Sequence, residues 1–288
     1  MQPTLTLLGH SVDTYAVFTA LAYVLGLGLA VLLGRRDGRR PDDLALGSVV
    51  LVLSCLLGGK LFHTLFEARG HPLRDGRVAS GTWDLLRDDP WHWARIFEPG
   101  FVFYGGLVVA TGTMIVFARR RGLDRIGAGF DCAAPGLALG MVIGRVGCFL
   151  AGCCHGSETA LSWGVQYPAP HPMAGVPVHP VQLYESGFHL LALLLMPLLF
   201  KRRIFEGHVF VFLVGSYAVA RAGLEMLRGD VARGLWLDGA LSTSQGVSLV
   251  IGILAVAVRL HFPRRRGDRR AHHAPQPSSS SARIPNPA

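Results

Sequence analysis

Two stretches of this chain are long and free of charge, and they fix its surroundings before any motif is considered. Tyr15 to Leu33 is a run of nineteen residues without Asp, Glu, Lys or Arg, and Phe101 to Ala118 is a second of eighteen. A helix of about 20 apolar residues matches the hydrocarbon thickness of a bilayer. Neither run alternates polar and apolar residues, as the strands of an outer-membrane barrel do. Further segments have the same character with isolated polar interruptions. Leu44 to Leu65 carries Lys60, and Phe130 to Leu150 carries Asp131 and Arg145. Val181 to Phe200 carries Glu185, His208 to Met226 carries Arg221 and Glu225, and Ala240 to Leu260 closes the series. The predicted fold class is all-α, a polytopic membrane protein with about seven transmembrane helices. Composition agrees: 50% of the 288 residues are hydrophobic, 16% are charged, and the mean hydropathy is +0.38.

The short loops predict orientation. Arg35, Arg36, Arg39 and Arg40 follow the first span, Arg119, Arg120, Arg121 and Arg125 the third, and Lys201, Arg202 and Arg203 the fifth. Arg264, Arg265, Arg266, Arg269 and Arg270 follow the seventh. Of the intervening loops, residues 151–182 hold no Lys or Arg, and Glu67 to Glu98 mixes five Arg with six acidic residues. Basic loops stay on the cytoplasmic side, so the N-terminus is expected outside and the C-terminus in the cytoplasm. These loops account for the net charge of +9 and the pI of 9.9, and nucleic acid is not an expected partner. The basic residues follow the first apolar run and do not precede it, unlike a cleaved signal peptide. Residues 1–263 read as the membrane domain. Residues 264–288, rich in Arg, Ser and Pro, read as a disordered cytoplasmic tail. No internal repeat supports a transporter built from inverted halves.

Ionisable side chains inside spans are costly and face a protein interior or a water-filled cavity. Arg145, Glu185, Arg221 and Glu225 all fall toward the expected outer ends of their spans. Tyr217, Arg221 and Glu225 are spaced i, i+4, i+8 and share one helical face. Self-neutralisation of Arg221 by Glu225 is the plainer explanation for that pair, but it leaves Arg145 and Glu185 at the same depth unexplained. Glycines punctuate the same region: Gly105 and Gly106 in the third span, Gly140, Gly144 and Gly147 in the fourth. Close helix approach is their plainer role.

Gly144-Arg145-Val146-Gly147-Cys148-Phe149 leads into Gly152-Cys153-Cys154-His155-Gly156, and later come His179-Pro180-Val181-Gln182-Leu183-Tyr184-Glu185. Pro180 suits a first helical turn. This set, with Tyr104-Gly105-Gly106-Leu107 and the late Tyr217, Arg221 and Glu225, resembles the prolipoprotein diacylglyceryl transferase family. That family has a Gly-Arg-x-Gly-Asn-Phe signature, a His-Gly-Gly-Leu segment, a His-Pro-x-Gln-Leu-Tyr-Glu segment and a Tyr…Arg…Glu helix. Tyr15 and Gly58-Gly59-Lys60 also fit family positions. The resemblance covers Tyr15 to Leu260. Two positions depart from it: Tyr104 stands where the family has a histidine of catalytic importance, and Cys148 stands for the Asn. The acidic residue later in the signature falls at Cys153.

The resemblance implies a multi-pass enzyme of the bacterial cytoplasmic (inner) membrane. It would move a diacylglyceryl group from phosphatidylglycerol to the lipobox cysteine of prolipoproteins at the outer leaflet, with glycerol phosphate leaving. The implied partners are this anionic phospholipid, prolipoprotein signal peptides and the bilayer, and no cofactor motif appears. Arg holds phosphate bidentately, so Arg145 and Arg221 are expected to bind the phosphodiester and stabilise the leaving group. Glu225 and Glu185 would orient them. The acceptor thiol, with an ordinary pKa of about 8.5, needs a base, for which His179, His155 and Glu185 compete. Tyr104 joins the catalytic set, and Tyr15, Gly105, Gly106, Gly147, Gln182, Glu185 and Tyr217 the substrate-binding one. Two other functions stay open: a paralogous transferase with another acceptor, and a non-catalytic lipid- or metal-binding membrane protein.

Cys55 and Cys132 lie within spans and read as inert. For Cys148, Cys153, Cys154 and His155 the sequence leaves a disulfide, a thiol–metal site (with His155 or His179), a nucleophile or plain packing open. No standard metal motif is present. Trp83, Trp91 and Trp93 in the Glu67 to Glu98 loop read as interfacial anchors.

Overall fold

The computed structural model describes residues 4–7, 10–66, 86–91, 102–229, 235–236 and 241–261. Among them seven long helices stand close to the apolar runs. They are α1 (Thr14–Arg36), α2 (Pro41–Phe66), α3 (Phe103–Arg120), α4 (Ile126–Ala151), α5 (Val181–Lys201), α6 (His208–Leu224) and α7 (Thr243–His261). Two small antiparallel pairs accompany them, β1 (Thr4–Leu7) with β2 (His10–Asp13) and β3 (Leu235–Trp236) with β4 (Leu241–Ser242). Six of the helices are long and apolar enough to cross a membrane. The exception, α3, starts at Phe103, two residues into the uncharged run, and so takes Arg119 and Arg120 into its last turn. Large apolar side chains cover the outside of the bundle: Val24 is 67% exposed, Leu194 68% and Ile253 60%. Such a surface suits lipid and not water. Trp91 is exposed; Trp83, Trp93 and the tail lie outside the described residues.

The helices pair in a defined order, α1 on α4, α2 on α3, α4 on α5 and α6 on α7. Glycine makes the closest of these contacts possible. The carbonyl oxygen of Gly136 on α4 would lie 2.7 Å from a Cβ placed on Gly26 of α1, and a Cβ on Gly147 would collide with Phe18. Without side chains at these points the two backbones touch, the usual device of membrane helices, which have no hydrophobic force between them.

Asp131, charged and 0% exposed, has a structural explanation. Helix α6 starts after Gly207, which has no side chain to cap the free amide groups of a helix start. Asp131 reaches across from α4 instead. Its Oδ2 accepts from Gly207 N at 2.9 Å, and its Oδ1 accepts from Val209 N at 2.8 Å and Phe210 N at 3.2 Å. Arg203 adds an ion pair at 3.5 Å.

The segment between α4 and α5 is held by backbone bonds to its own end and to the turn that follows α6. Gly156 N donates to His179 O at 2.9 Å, and Ser157 N donates to Leu227 O at 2.8 Å. Gln182, fully buried, donates from Nε2 to the carbonyl of Cys153 at 2.6 Å and to the Tyr167 hydroxyl at 3.0 Å. Burial pushes the Tyr167 phenol above its usual range, so it stays neutral in this role. Asp131→Ala should destabilise the protein by about 2 kcal/mol, with Asp131→Asn milder, because three amides and one cation lose a buried partner. Thermal unfolding in detergent measures this, and an Ala variant as stable as the parent contradicts the capping role.

Candidate active site

The ionisable residues inside the helices meet. Glu185, near the start of α5, is 1% exposed and sits between two guanidinium groups. Its Oε2 lies 2.5 Å from Nε of Arg145 on α4, and its Oε1 lies 3.4 Å from Nη1 of Arg221 on α6. Tyr217, one turn before Arg221, donates from its hydroxyl to Glu185 Oε2 at 3.3 Å. Arg221 turns Nη2 to Glu225 Oε2 at 2.8 Å and to Ser244 Oγ of α7 at 3.3 Å. The i, i+4 pair of α6 therefore forms, but it is one part of a chain Arg145–Glu185–Arg221–Glu225 in which charges alternate. A lone buried ion costs several kcal/mol, and such alternation with hydrogen bonds is what makes the cluster tenable.

Aromatic rings enclose it. The Tyr104 hydroxyl lies 2.8 Å from Ser248 Oγ, and its ring is 6.0 Å from that of Tyr217. Phe103 and His189 close on Tyr217 at 5.8 and 4.6 Å, and His189 donates from Nδ1 to the carbonyl of Glu185 at 2.8 Å.

Arg145, Arg221, Glu225, Tyr104 and Tyr217 share the wall of a cavity of about 1010 Å³ with Tyr15, Cys148 and Cys154. Along its length the wall is largely apolar, with Leu27, Val31, Val52, Leu107 and Met141, and it extends to Arg39 and Arg125 at the other ends of α1 and α4. A wall with Arg145 and Arg221 at one end, a long apolar body, and charged residues again at the far end offers an amphiphile with an anionic head a place for both its parts.

Other residues singled out from the sequence lie off this wall. His179 sits beside Tyr184, with Nδ1 3.4 Å from its hydroxyl. Gln182 holds the segment after α4. The Nδ1 of His155 lies 2.9 Å from Gly156 O, and its ring stands 5.9 and 5.3 Å from Tyr167 and His171. Gly105 faces α2, where a Cβ would collide with Phe62; Gly106 is buried on the same turn of α3, and Gly147 faces α1. Conversely, His63 of α2 lines the cavity, the one histidine among the described residues to do so. In an apolar run it gave no signal, and neither did Ser244, Ser248 or His189, whose partners are remote in sequence.

Fold and site together define a multi-helix membrane protein with a buried charge relay at one end of an apolar cavity. The chain belongs to the prolipoprotein diacylglyceryl transferase family, whose model matches residues 3–261. Three relatives are named phosphatidylglycerol–prolipoprotein diacylglyceryl transferases. The one from Synechococcus elongatus is 31% identical over 86% of this chain and 83% of its own length. The one from Clostridium tetani is 28% identical over 90% and 96%. The second such enzyme of Clostridium perfringens is 29% identical over 84% and 88%.

Glu185→Ala should cost about 3 kcal/mol, since it leaves two guanidinium groups without their shared carboxylate. Tyr104→Phe should cost about 1 kcal/mol, the value of one hydrogen bond. Unfolding in detergent ranks the two, and equal small effects would show that Glu185 does not hold the cluster.

Proposed function

We propose that this chain transfers a diacylglyceryl group from phosphatidylglycerol to the lipobox cysteine thiol of prolipoproteins, as the names of its relatives describe for them. The observation that carries the reading is the placement of Arg145 and Arg221, tied together by Glu185, on the wall of an apolar cavity. The lipid tails lie in the apolar body, and the phosphodiester meets the two guanidinium groups. The acceptor sulfur forms a bond to the glyceryl carbon as the carbon–oxygen bond to phosphate breaks, and glycerol phosphate departs with the electron pair. Arg145 and Arg221 offset the charge that develops on the leaving phosphate, in surroundings that exclude water. Glu185, bound to both, and Glu225 set their geometry and are positioning residues. His63, on the same wall, takes the thiol proton.

The setting completes the reading. All seven helices span the cytoplasmic membrane, with the N-terminus outside and the C-terminus inside, and the charge cluster lies toward the outer leaflet. The asymmetry of Arg and Lys between alternate loops supports this orientation.

A transfer assay on purified protein with phosphatidylglycerol and a lipobox peptide, read by mass spectrometry, tests the reaction. A peptide heavier by one diacylglyceryl group is expected, and no product beside an active relative would refute the reading. Arg145→Ala and Arg221→Ala should each lower transfer at least about 100-fold. His63→Ala should lower it about 100-fold, the loss expected when a general base is removed. Undiminished transfer by this variant removes His63 from this role.

A further inference from the structure

The transferase reading leaves one chemical cluster unused. At the C-terminal end of α4 the thiols of Cys148, Cys153 and Cys154 lie so close that all three sulfur atoms are within 4.8 Å of one another. All five cysteines of the chain are free thiols in the structure. The backbone builds the cluster deliberately. Gly152 ends α4 with φ of 83°, and the chain folds back so that Cys153 N donates to Cys148 O at 3.1 Å. Cys154 then takes φ of 59°, in the left-handed region that residues with a Cβ seldom occupy and that the surroundings must hold in place. Gln182 grips the carbonyl of Cys153 at 2.6 Å, and the Nε2 of His171 lies 2.9 Å from the carbonyl of Gly152.

The distances suit a metal. Metal–sulfur bonds of about 2.3 Å place the sulfurs of a tetrahedral site close to 4 Å apart, so small side-chain rotations close this cluster on an ion. Cys148 is buried while Cys153 is exposed, which gives an ion a way in. We propose that Cys148, Cys153 and Cys154 form a three-thiolate site for a thiophilic d10 cation, Zn(II) or Cu(I). Three soft ligands select these ions over Mg²⁺ or Ca²⁺, and binding releases the thiol protons to solvent. His155 is turned to the Gly156 carbonyl and to aromatic neighbours, so the three protein ligands leave one position for an outside ligand. Cys148 and Cys154 line the cavity beside Arg145, which puts the ion at the wall where the head of an amphiphile would lie.

The full chain, purified in detergent and reduced, is titrated with Zn²⁺ and separately with Cu⁺ against a chromophoric chelator, and thiol alkylation is then mapped by mass spectrometry. The proposal expects about one equivalent of one of these ions per chain. It also expects protection of Cys148, Cys153 and Cys154 from alkylation but not of Cys55 or Cys132. The two titrations distinguish the ions. Cys154→Ser and Cys148→Ser should each weaken binding at least about tenfold. Failure of the parent protein to compete for either ion overturns the proposal, as does binding that leaves the three thiols unprotected or survives in the Cys153→Ser, Cys154→Ser double variant. The protection map uses the parent protein, so misfolding of a variant cannot decide the matter.

Discussion

A carboxylate held between two guanidinium groups, inside a bundle whose exterior is apolar, sets the terms for the rest of the structure. Glu185 touches Arg145 on one side and Arg221 on the other, and it thereby ties α4, α5 and α6 at one depth. In a medium of low polarity none of these charges could be left alone. The carboxylate fixes where both arginines point, and through Arg221 it fixes Glu225 and Ser244 as well.

The remaining polar features serve that arrangement. Asp131 caps α6 from α4, near the other end of α4 from Arg145, so α4 and α6 are joined by charge at both ends. Glycines bring α1 against α4 and α2 against α3. The cavity lined mainly by these four helices meets Arg145 and Arg221 at one end, is apolar along its body, and reaches Arg39 and Arg125 at the other end.

Much of this was legible in the residues. The run Val181 to Phe200 became Val181–Lys201, and Leu44 to Leu65 became Pro41–Phe66, because an uncharged apolar stretch of that length has few alternatives to a helix. The convergence of Arg145, Glu185, Arg221 and Glu225 followed from their depth in the spans. Their partners did not follow, since depth does not specify which face of a helix meets which neighbour. Asp131 shows this most plainly: the amides it caps are 76 to 79 residues away, and no periodicity links a carboxylate in one helix to the start of another. The glycines and Gln182 carry the family motif yet hold helices and backbone together, because motif membership does not distinguish contact with a ligand from support of the residues that make it. Three cysteines could equally pair or cluster, and only the left-handed turns at Gly152 and Cys154 decide how their sulfurs are placed.

The central claim is that Arg145 and Arg221 act as one anion site, assembled by Glu185, for the head of a lipid lying in the cavity. The most direct measurement is a double-mutant cycle on lipid binding: affinity for phosphatidylglycerol, against phosphatidylcholine as reference, in the parent, in Arg145→Gln and Arg221→Gln, and in the double variant. The account predicts a preference for the anionic lipid that each single change reduces at least about tenfold, with the double change costing clearly less than the sum of the two. Equal affinity for both lipids in the parent, or strictly additive losses, would contradict it.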